Sequence, residues 1–233
     1  MITVSLIFRY LAGMIIGYLL GSIPFSLILP MRLAHVDVRE FGSGSIGATN
    51  VSRTAGIKIG LLSGVLDFAK GTAAVFISRL IIGNSYVVAG PFSFGPLFGA
   101  VLAGLAAVAG HSWSIFLKFH GGKSVAVFFG GLVALLWVVA LFGGEVLALG
   151  ATSTLFMSLG SLAGVVGTYA ILIPLTISNR LSPDYLLYAF GGTAIVIYQH
   201  RSNIVDLFKG IERKLGQRAE KVRARSGHQN KKT

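Results

Sequence analysis

The chain has 233 residues, 54% hydrophobic and only 12% charged, with a mean hydropathy of +0.77. That balance excludes a water-soluble globule, and the lack of cysteine excludes disulfides, thiolate metal sites and a cysteine nucleophile. Net charge is +12, but half of the Lys and Arg residues lie from Arg201 onward, where the acids are Asp206, Glu212 and Glu220. A basic tail beside membrane helices points to anionic lipid and not to nucleic acid.

Apolar runs of about 18 residues or more, enough to cross a hydrocarbon core as a helix, recur along the chain. The first is expected from about Ser5 to Leu33. It shows no cleavage-site pattern, carries Gly13, Gly17 and Gly21 at the spacing that lets helices approach closely, and meets Pro24, which should kink it. Residues 34–56 form a polar segment with Arg32, Arg39, Arg53 and Lys58 in or beside it. The positive-inside rule makes it cytoplasmic and the N-terminus outward.

That segment holds an unusual stretch, Gly42-Ser43-Gly44-Ser45-Ile46-Gly47-Ala48-Thr49-Asn50-Val51-Ser52-Arg53. Glycines Gly42 and Gly44 let the backbone bring its N–H groups against a ligand. Ser43, Ser45 and Asn50 add donors, and Arg53 adds a charge able to make bidentate bonds to phosphate. A helix starting just after it would favour an anion. A second span, about Ile57 to Ile82, contains Asp67 and Lys70, which either neutralise each other or border a site.

An uncharged connector, 83–96, should lie outside. A third span, about Leu97 to Leu117, returns to the second polar stretch, Gly110 to Ser124, with His111, His120 and the turn Gly121-Gly122-Lys123. Lys123 is expected to open the next helix. From Val125 to Ile177 the only charged residue is Glu145. Parity requires one or three crossings there, and three short helices are expected, broken near Gly143-Gly144 and near Ser158-Leu159-Gly160. The alternative is one crossing plus a buried re-entrant hairpin. A short last span, about Tyr185 to Tyr198, leads to the third polar stretch, His200-Arg201-Ser202-Asn203 through Glu212. Beyond Gly216 the tail reads as basic and disordered.

The expected fold is therefore an all-α polytopic membrane protein with about seven short transmembrane helices (five in the re-entrant alternative), N-terminus out and C-terminus in. Residues 1–200 form the transmembrane domain, with cytoplasmic loops 34–56 and 118–124. Residues 201–233 form a basic cytoplasmic tail whose start completes the site. All three polar stretches fall on one side and offer Ser43, Arg53, Lys123 and Arg201 to anions, with Asn50, His200, Asn203 and Glu212 for hydrogen bonding. The chemistry suggested is the handling of one or two phosphates at the membrane–water boundary. H-E-x-x-H, G-x-S-x-G and His-x4-Asp motifs are absent from the sequence.

The pattern resembles the bacterial acyl-phosphate:glycerol-3-phosphate acyltransferases, the PlsY family. The resemblance is carried by Gly21-Ser22-Ile23-Pro24, Gly42–Arg53, Asp67-Phe68-Ala69-Lys70-Gly71, Gly110–Lys123 and His200–Glu212. It implies an inner-membrane enzyme with a cytoplasm-facing site that joins acyl phosphate to the sn-1 hydroxyl of glycerol 3-phosphate. The products would be lysophosphatidic acid and phosphate, with no cofactor and no metal. On these residues Ser43, Arg53, Lys123 and Asn203 are the catalytic candidates. Gly42, Gly44, Ser45, Asn50, Gly121, Gly122, His200 and Glu212 are the substrate-binding candidates. The chain departs from the family pattern at Ser45 (usually Asn), Ser124 (usually Gly) and Asp206 (usually basic). A small transporter or scramblase for a phosphorylated solute or lipid is the alternative reading, though no convincing internal repeat supports it.

Overall fold

The computed structural model describes residues 2–89 and 92–221. Helix α1 (Ile2–Ser22) ends at Ile23-Pro24, and α2 (Phe25–Ala34) resumes beyond the proline, which the pyrrolidine ring accounts for. A one-turn 3-10 segment at Val38–Glu40 leads to α3 (Ala48–Thr54) and α4 (Ile57–Ile82). The connector after α4 forms a hairpin of β1 (Val87–Ala89) and β2 (Phe92–Phe94), paired antiparallel with Val87 opposite Phe94. Then come α5 (Pro96–Ser112), α6 (Val125–Thr154), α7 (Met157–Gly167), α8 (Tyr169–Ile177), α9 (Asp184–Gln199) and α10 (Arg201–Phe208).

Small residues set how the helices meet. A Cβ at Gly17 or Gly21 would collide with the backbone carbonyls of Ala103 and Ala107, so α1 lies directly on α5. Gly71 and Gly130 do the same for α4 against α6, facing the Val127 and Phe68 carbonyls. The core between α4, α5, α6 and α9 is closed by Tyr188, fully buried. Its ring stacks on Phe128 at 5.4 Å and its hydroxyl donates to the Phe128 carbonyl at 2.9 Å. The outward faces carry large apolar side chains instead: Leu80 is 82% exposed, Phe190 70% and Leu149 69%. Among the described residues, four stretches are long and apolar enough to cross a membrane: 4–34, 96–117, 125–154 and 157–177.

The segment 125–177 breaks in other places than the sequence suggests. Helix α6 passes through Gly143-Gly144 without interruption and departs from helical geometry at Leu136 (φ −155°, ψ 85°). The departure is a reversal. A Cβ built on Gly143 would lie 3.0 Å from the Phe129 ring, whereas a straight helix would put those residues about 21 Å apart at 1.5 Å per residue. The two arms, 125–135 and 137–154, therefore fold back on each other. Gly143 instead makes room for α7 and the residue that joins it to α8, with Thr168 Cγ2 2.7 Å and the Gly164 carbonyl 3.0 Å from its absent Cβ. In an apolar medium no water competes for backbone hydrogen bonds, so glycine serves close packing more readily than helix breaking. The second break falls at Leu155 (φ 62°) and Phe156, leaving Ser158 and Gly160 inside α7.

Candidate functional site

The loop before α3 is braced from within. The carboxamide of Asn50, a buried residue, donates to the carbonyls of Val38, Phe41 and Ser45 at 2.9, 3.1 and 3.1 Å, and its Oδ1 accepts from the Ser43 amide at 3.3 Å. Gly42 and Gly44 take positive φ (59° and 68°), the turn that glycine makes without strain. The helix starts within the motif, at Ala48, and not after it. The amides of residues 42–45 are all engaged: Gly42 N–H goes to the Glu220 carbonyl, Gly44 N–H to Phe41 and Ser45 N–H to Ser43 Oγ. The amides of 42–45 are thus taken up within the protein, and Asn50 is the internal strut of the loop.

The second stretch is held by α1. Tyr18 Oη donates to the Trp113 carbonyl at 2.7 Å, and Ser114 Oγ donates to Ser22 O at 2.6 Å. Gly121 and Gly122 then cross the end of α5, where a Cβ on either would strike the backbone carbonyl of His111 or of Ile46, or the His111 ring. That crossing fastens the Lys123 turn to the Ser43–Arg53 loop. Helix α6 opens at Val125, two residues past Lys123, with Ser124 in the left-handed region (φ 60°). The family's usual glycine would sit there unstrained. Here the hydroxyl offsets part of the cost by donating to Val108 O at 2.7 Å and bonding Ser112 Oγ at 2.6 Å.

The third stretch closes the arrangement. Lys123 Nζ donates to Asn203 Oδ1 at 2.5 Å, Asn203 Nδ2 donates to Glu212 Oε1 at 2.8 Å, and Ser158 Oγ donates to the same oxygen at 2.9 Å. Glu212 makes no ion pair among the described residues, so its contacts are these two polar donors. His200 is 2% exposed, and its Nδ1–H donates to Val196 O at 2.8 Å. A carbonyl only accepts, so Nε2 of this neutral ring is left as an acceptor. Burial, and then the Lys123 charge, push the His200 imidazole down to about 4. Burial also pulls Lys123 down to about 8, partly opposed by Glu212, and lowers the Arg53 guanidinium from its usual value.

A cavity of about 290 Å³ lies at this junction. Ser43, Ser45, Asn50 and Arg53 line it from the first stretch, Lys123 from the second, and His200, Asn203 and Glu212 from the third. Gly42, Gly44, Gly121 and Gly122 line an outer cleft that shares Ser43, Ser45, Lys123 and Asn203 with the cavity. Arg201 belongs to the outer cleft only, stacked on the Tyr198 ring at 4.6 Å. The inner wall is apolar: Val125, Ala126, Phe129, Leu147 and Met157.

The sequence reading missed several neighbours. Ser158 and Ser161 of α7 reach the cavity, because the reversal at Leu136 brings α7 back to this end. Asp67, which the sequence left as either a neutralising partner of Lys70 or a residue bordering a site, stands on its wall together with His111. Their signal, two ionisable groups inside apolar spans, was visible. Residues 217–221, read as disordered, pair with the first loop: Ala219 N–H donates to Arg53 O, and Phe41 bridges Lys221. The rest of the tail read as disordered, 222–233, lies outside the described residues. The carbonyls of Arg213 and Lys214 both accept from Arg53 Nη2 at 3.1 Å, while Arg53 Nε is buried without an acceptor among the described residues.

Known proteins resemble this chain over most of its length. A family profile described as glycerol-3-phosphate acyltransferase matches residues 11–210. Glycerol-3-phosphate acyltransferase 3 of Dehalococcoides mccartyi (strain CBDB1) is 50% identical over 92% of this chain and 99% of its own length. Glycerol-3-phosphate acyltransferase of Clostridioides difficile (strain 630) is 39% identical over 92% and 99%. The crystal structure of PlsY (YgiH), an integral membrane glycerol 3-phosphate acyltransferase, in its glycerol 3-phosphate form superposes with a TM-score of 0.76 at 34% identity, covering 89% of this chain and 96% of that one. Its lysophosphatidic acid form gives 0.73 at 32% identity, covering 88% and 94%. With its apolar helices and three polar stretches gathered at one cavity, this multi-pass membrane protein belongs to the glycerol-3-phosphate acyltransferase family, the PlsY family.

Proposed function

We propose that this chain transfers a fatty acyl group from acyl phosphate to the sn-1 hydroxyl of glycerol 3-phosphate. The observation that carries the reading is the convergence of Ser43, Arg53, Lys123 and Asn203, from three separated stretches, on a cavity cationic at its mouth and apolar at its inner wall. Two anionic ligands, one with an alkyl chain, need both properties. The relatives' names and this chemistry favour acyl transfer over the transporter alternative.

An acyl phosphate is a mixed anhydride, so its carbonyl needs no covalent acyl-enzyme. The sn-1 oxygen attacks the carbonyl carbon, the C–O bond to phosphorus breaks, and the electron pair leaves with phosphate. The hydroxyl proton passes to a phosphate oxygen, giving lysophosphatidic acid and inorganic phosphate. Arg53 and Lys123 offset the combined charge and Ser43 donates to a phosphate oxygen. Asn203, held between Lys123 and Glu212, fixes the ammonium where the glycerol 3-phosphate phosphate sits. His200 presents Nε2 as an acceptor to a glycerol hydroxyl. A ring with a pKa of about 4 is too weak a base to remove that proton at neutral pH, so its role is orientation.

The site faces the cytoplasm of the bacterial inner membrane, with seven crossings: α1–α2, α4, α5, the two arms of α6, α7–α8 and α9. Purified protein should form lysophosphatidic acid from palmitoyl phosphate and glycerol 3-phosphate, but not from palmitoyl-CoA. Equal rates with the thioester would overturn the donor assignment. Single cysteines at Tyr86 and Arg218, in this cysteine-free chain, test sidedness with an impermeant maleimide in intact cells. Labelling at 86 and protection at 218 is expected; the reverse would refute the orientation.

A further inference from the structure

Beneath the Gly121-Gly122 turn lies a buried cluster that the mechanism above does not use. Asp67, Lys70 and His111 are 2%, 4% and 5% exposed. Ser26 Oγ donates to Asp67 Oδ2 at 2.7 Å, and Lys70 Nζ stands 2.9 Å from Asp67 Oδ1 as an ion pair. The same Nζ donates to the Ile23 carbonyl at 2.7 Å, where Pro24 interrupts the first span, and lies 2.9 Å from His111 Nδ1. An ammonium carries hydrogens and no lone pair, so Lys70 is the donor to both the Ile23 carbonyl and His111 Nδ1. Asp67 Oδ1 is its ion-pair partner and lies 3.7 Å from His111 Nδ1, beyond hydrogen-bond reach. His111 Nδ1 must then accept, which leaves the ring neutral with its hydrogen on Nε2. His200 has the opposite tautomer, with Nδ1–H on a carbonyl.

The His111 Nε2–H has no protein acceptor among the described residues, and His111 lines the cavity, beside the apolar wall and close against Gly122. We propose that His111 is an oxyanion donor for the acyl transfer: its Nε2–H bonds the acyl carbonyl oxygen as the carbon–oxygen π electrons move onto it. This rests on the acyl-phosphate reading of the site and adds a residue to it. The hydrogen stays on His111 throughout. When the phosphate leaves, the electron pair returns to the carbonyl and the hydrogen bond relaxes. A neutral donor suits that atom, because the cations at the mouth are already engaged with phosphate. Lys70 is a positioning residue, since it fixes the tautomer from behind the cavity wall, and Asp67 acts through it as its ion-pair partner. Gly122 is small because the ring must reach past it.

The test is a set of His111 variants assayed in the full chain with palmitoyl phosphate and glycerol 3-phosphate. His111→Leu removes the donor. His111→Gln keeps an acceptor and an N–H donor on one planar group, so its carbonyl can face Lys70 and its amide the cavity. His111→Leu should lower kcat about 100-fold with the KM for glycerol 3-phosphate little changed, as for loss of one oxyanion donor. His111→Gln should recover at least about tenfold of that. Leu and Gln variants that fold alike but are equally impaired would overturn the proposal, as would near-normal turnover in His111→Leu. If both variants misfold, 15N-histidine spectra of the wild-type protein decide: a hydrogen on Nε2 of His111 is required, and one on Nδ1 refutes it. Failure of the wild type to use palmitoyl phosphate would instead refute the underlying reading, and so separates the two.

Discussion

Lys123 donates to the side-chain oxygen of Asn203, eighty positions later in the chain, and the other end of that carboxamide is held by Glu212. The amide is oriented by a cation on one side and an anion on the other. It thereby fixes where a buried ammonium points. Asn203→Ala should lower kcat/KM for glycerol 3-phosphate by about 10- to 100-fold, the equivalent of a hydrogen bond to a charged group, about 1.5–3 kcal/mol. Asn203→Asp should be worse, because a carboxylate pairs with Lys123 and repels the substrate phosphate. A double-mutant cycle between positions 123 and 203 should show coupling of about 1 kcal/mol or more; additive losses would mean that the bond is incidental.

Arg53 is held by two carbonyls of the tail segment, at Arg213 and Lys214, and its Nε hydrogen has no acceptor among the described residues. A guanidinium so placed can reach tail and phosphate together through its fork. Arg53→Ala should cost about 3–4 kcal/mol in transition-state stabilisation, and Arg53→Lys should restore little of it, since an ammonium cannot span both. Steady-state kinetics on variants of unchanged thermal stability check this. Full activity in Arg53→Lys would reduce the residue to a lipid-facing charge.

The depressed Lys123 value sets a pH profile. Its charge is present below about 8 and lost as pH rises through it, so the KM for glycerol 3-phosphate should climb between about pH 7.5 and 9. Stability runs the other way. The unfolded chain binds more protons than the folded one between 8 and the ordinary lysine value of 10.5, so the contribution of Lys123 to stability rises with pH there. For His200, folded near 4 against 6.5, the same reasoning makes stability fall as pH drops from 6.5 toward 4. Kinetics and melting curves should therefore move in opposite directions above pH 8. A flat KM across that range would remove Lys123 from phosphate binding.

A Cβ on Gly121 would collide with the carbonyls of His111 and Ser112 at the end of α5. A methyl group there must push backbone, not a pliable side-chain tip. Gly121→Ala should cost about 1–3 kcal/mol of stability and move Lys123 relative to Arg53, raising the KM for glycerol 3-phosphate more than it lowers the melting temperature would suggest. Comparison with Gly144→Ala, where the Cβ meets nothing within 4 Å among the described residues, supplies the control.

The sequence alone determined the membrane class, the ends of α4 at Ile57 and Ile82, the interruption at Pro24 and the three polar stretches. Hydropathy and proline act locally, and any window of the chain reports them. It also identified Asp67 and Lys70 as an expensive pair, because charge inside an apolar span needs no partner in view to be conspicuous. Only the tertiary structure decided the rest. Gly143-Gly144 read as a break, yet the chain reverses at Leu136, because glycine's meaning depends on whether a neighbouring helix takes the space it leaves. Asn50 read as a hydrogen-bonding residue of the site; it lines the cavity, and only the structure shows that its carboxamide also braces three carbonyls of its own loop. The segment 217–221 read as disordered, yet it is stitched to Phe41, Gly42 and Arg53. Each of these depends on a hydrogen-bond partner or a packing surface distant in sequence or set by the turn of a loop, and composition carries no record of where such partners come to rest.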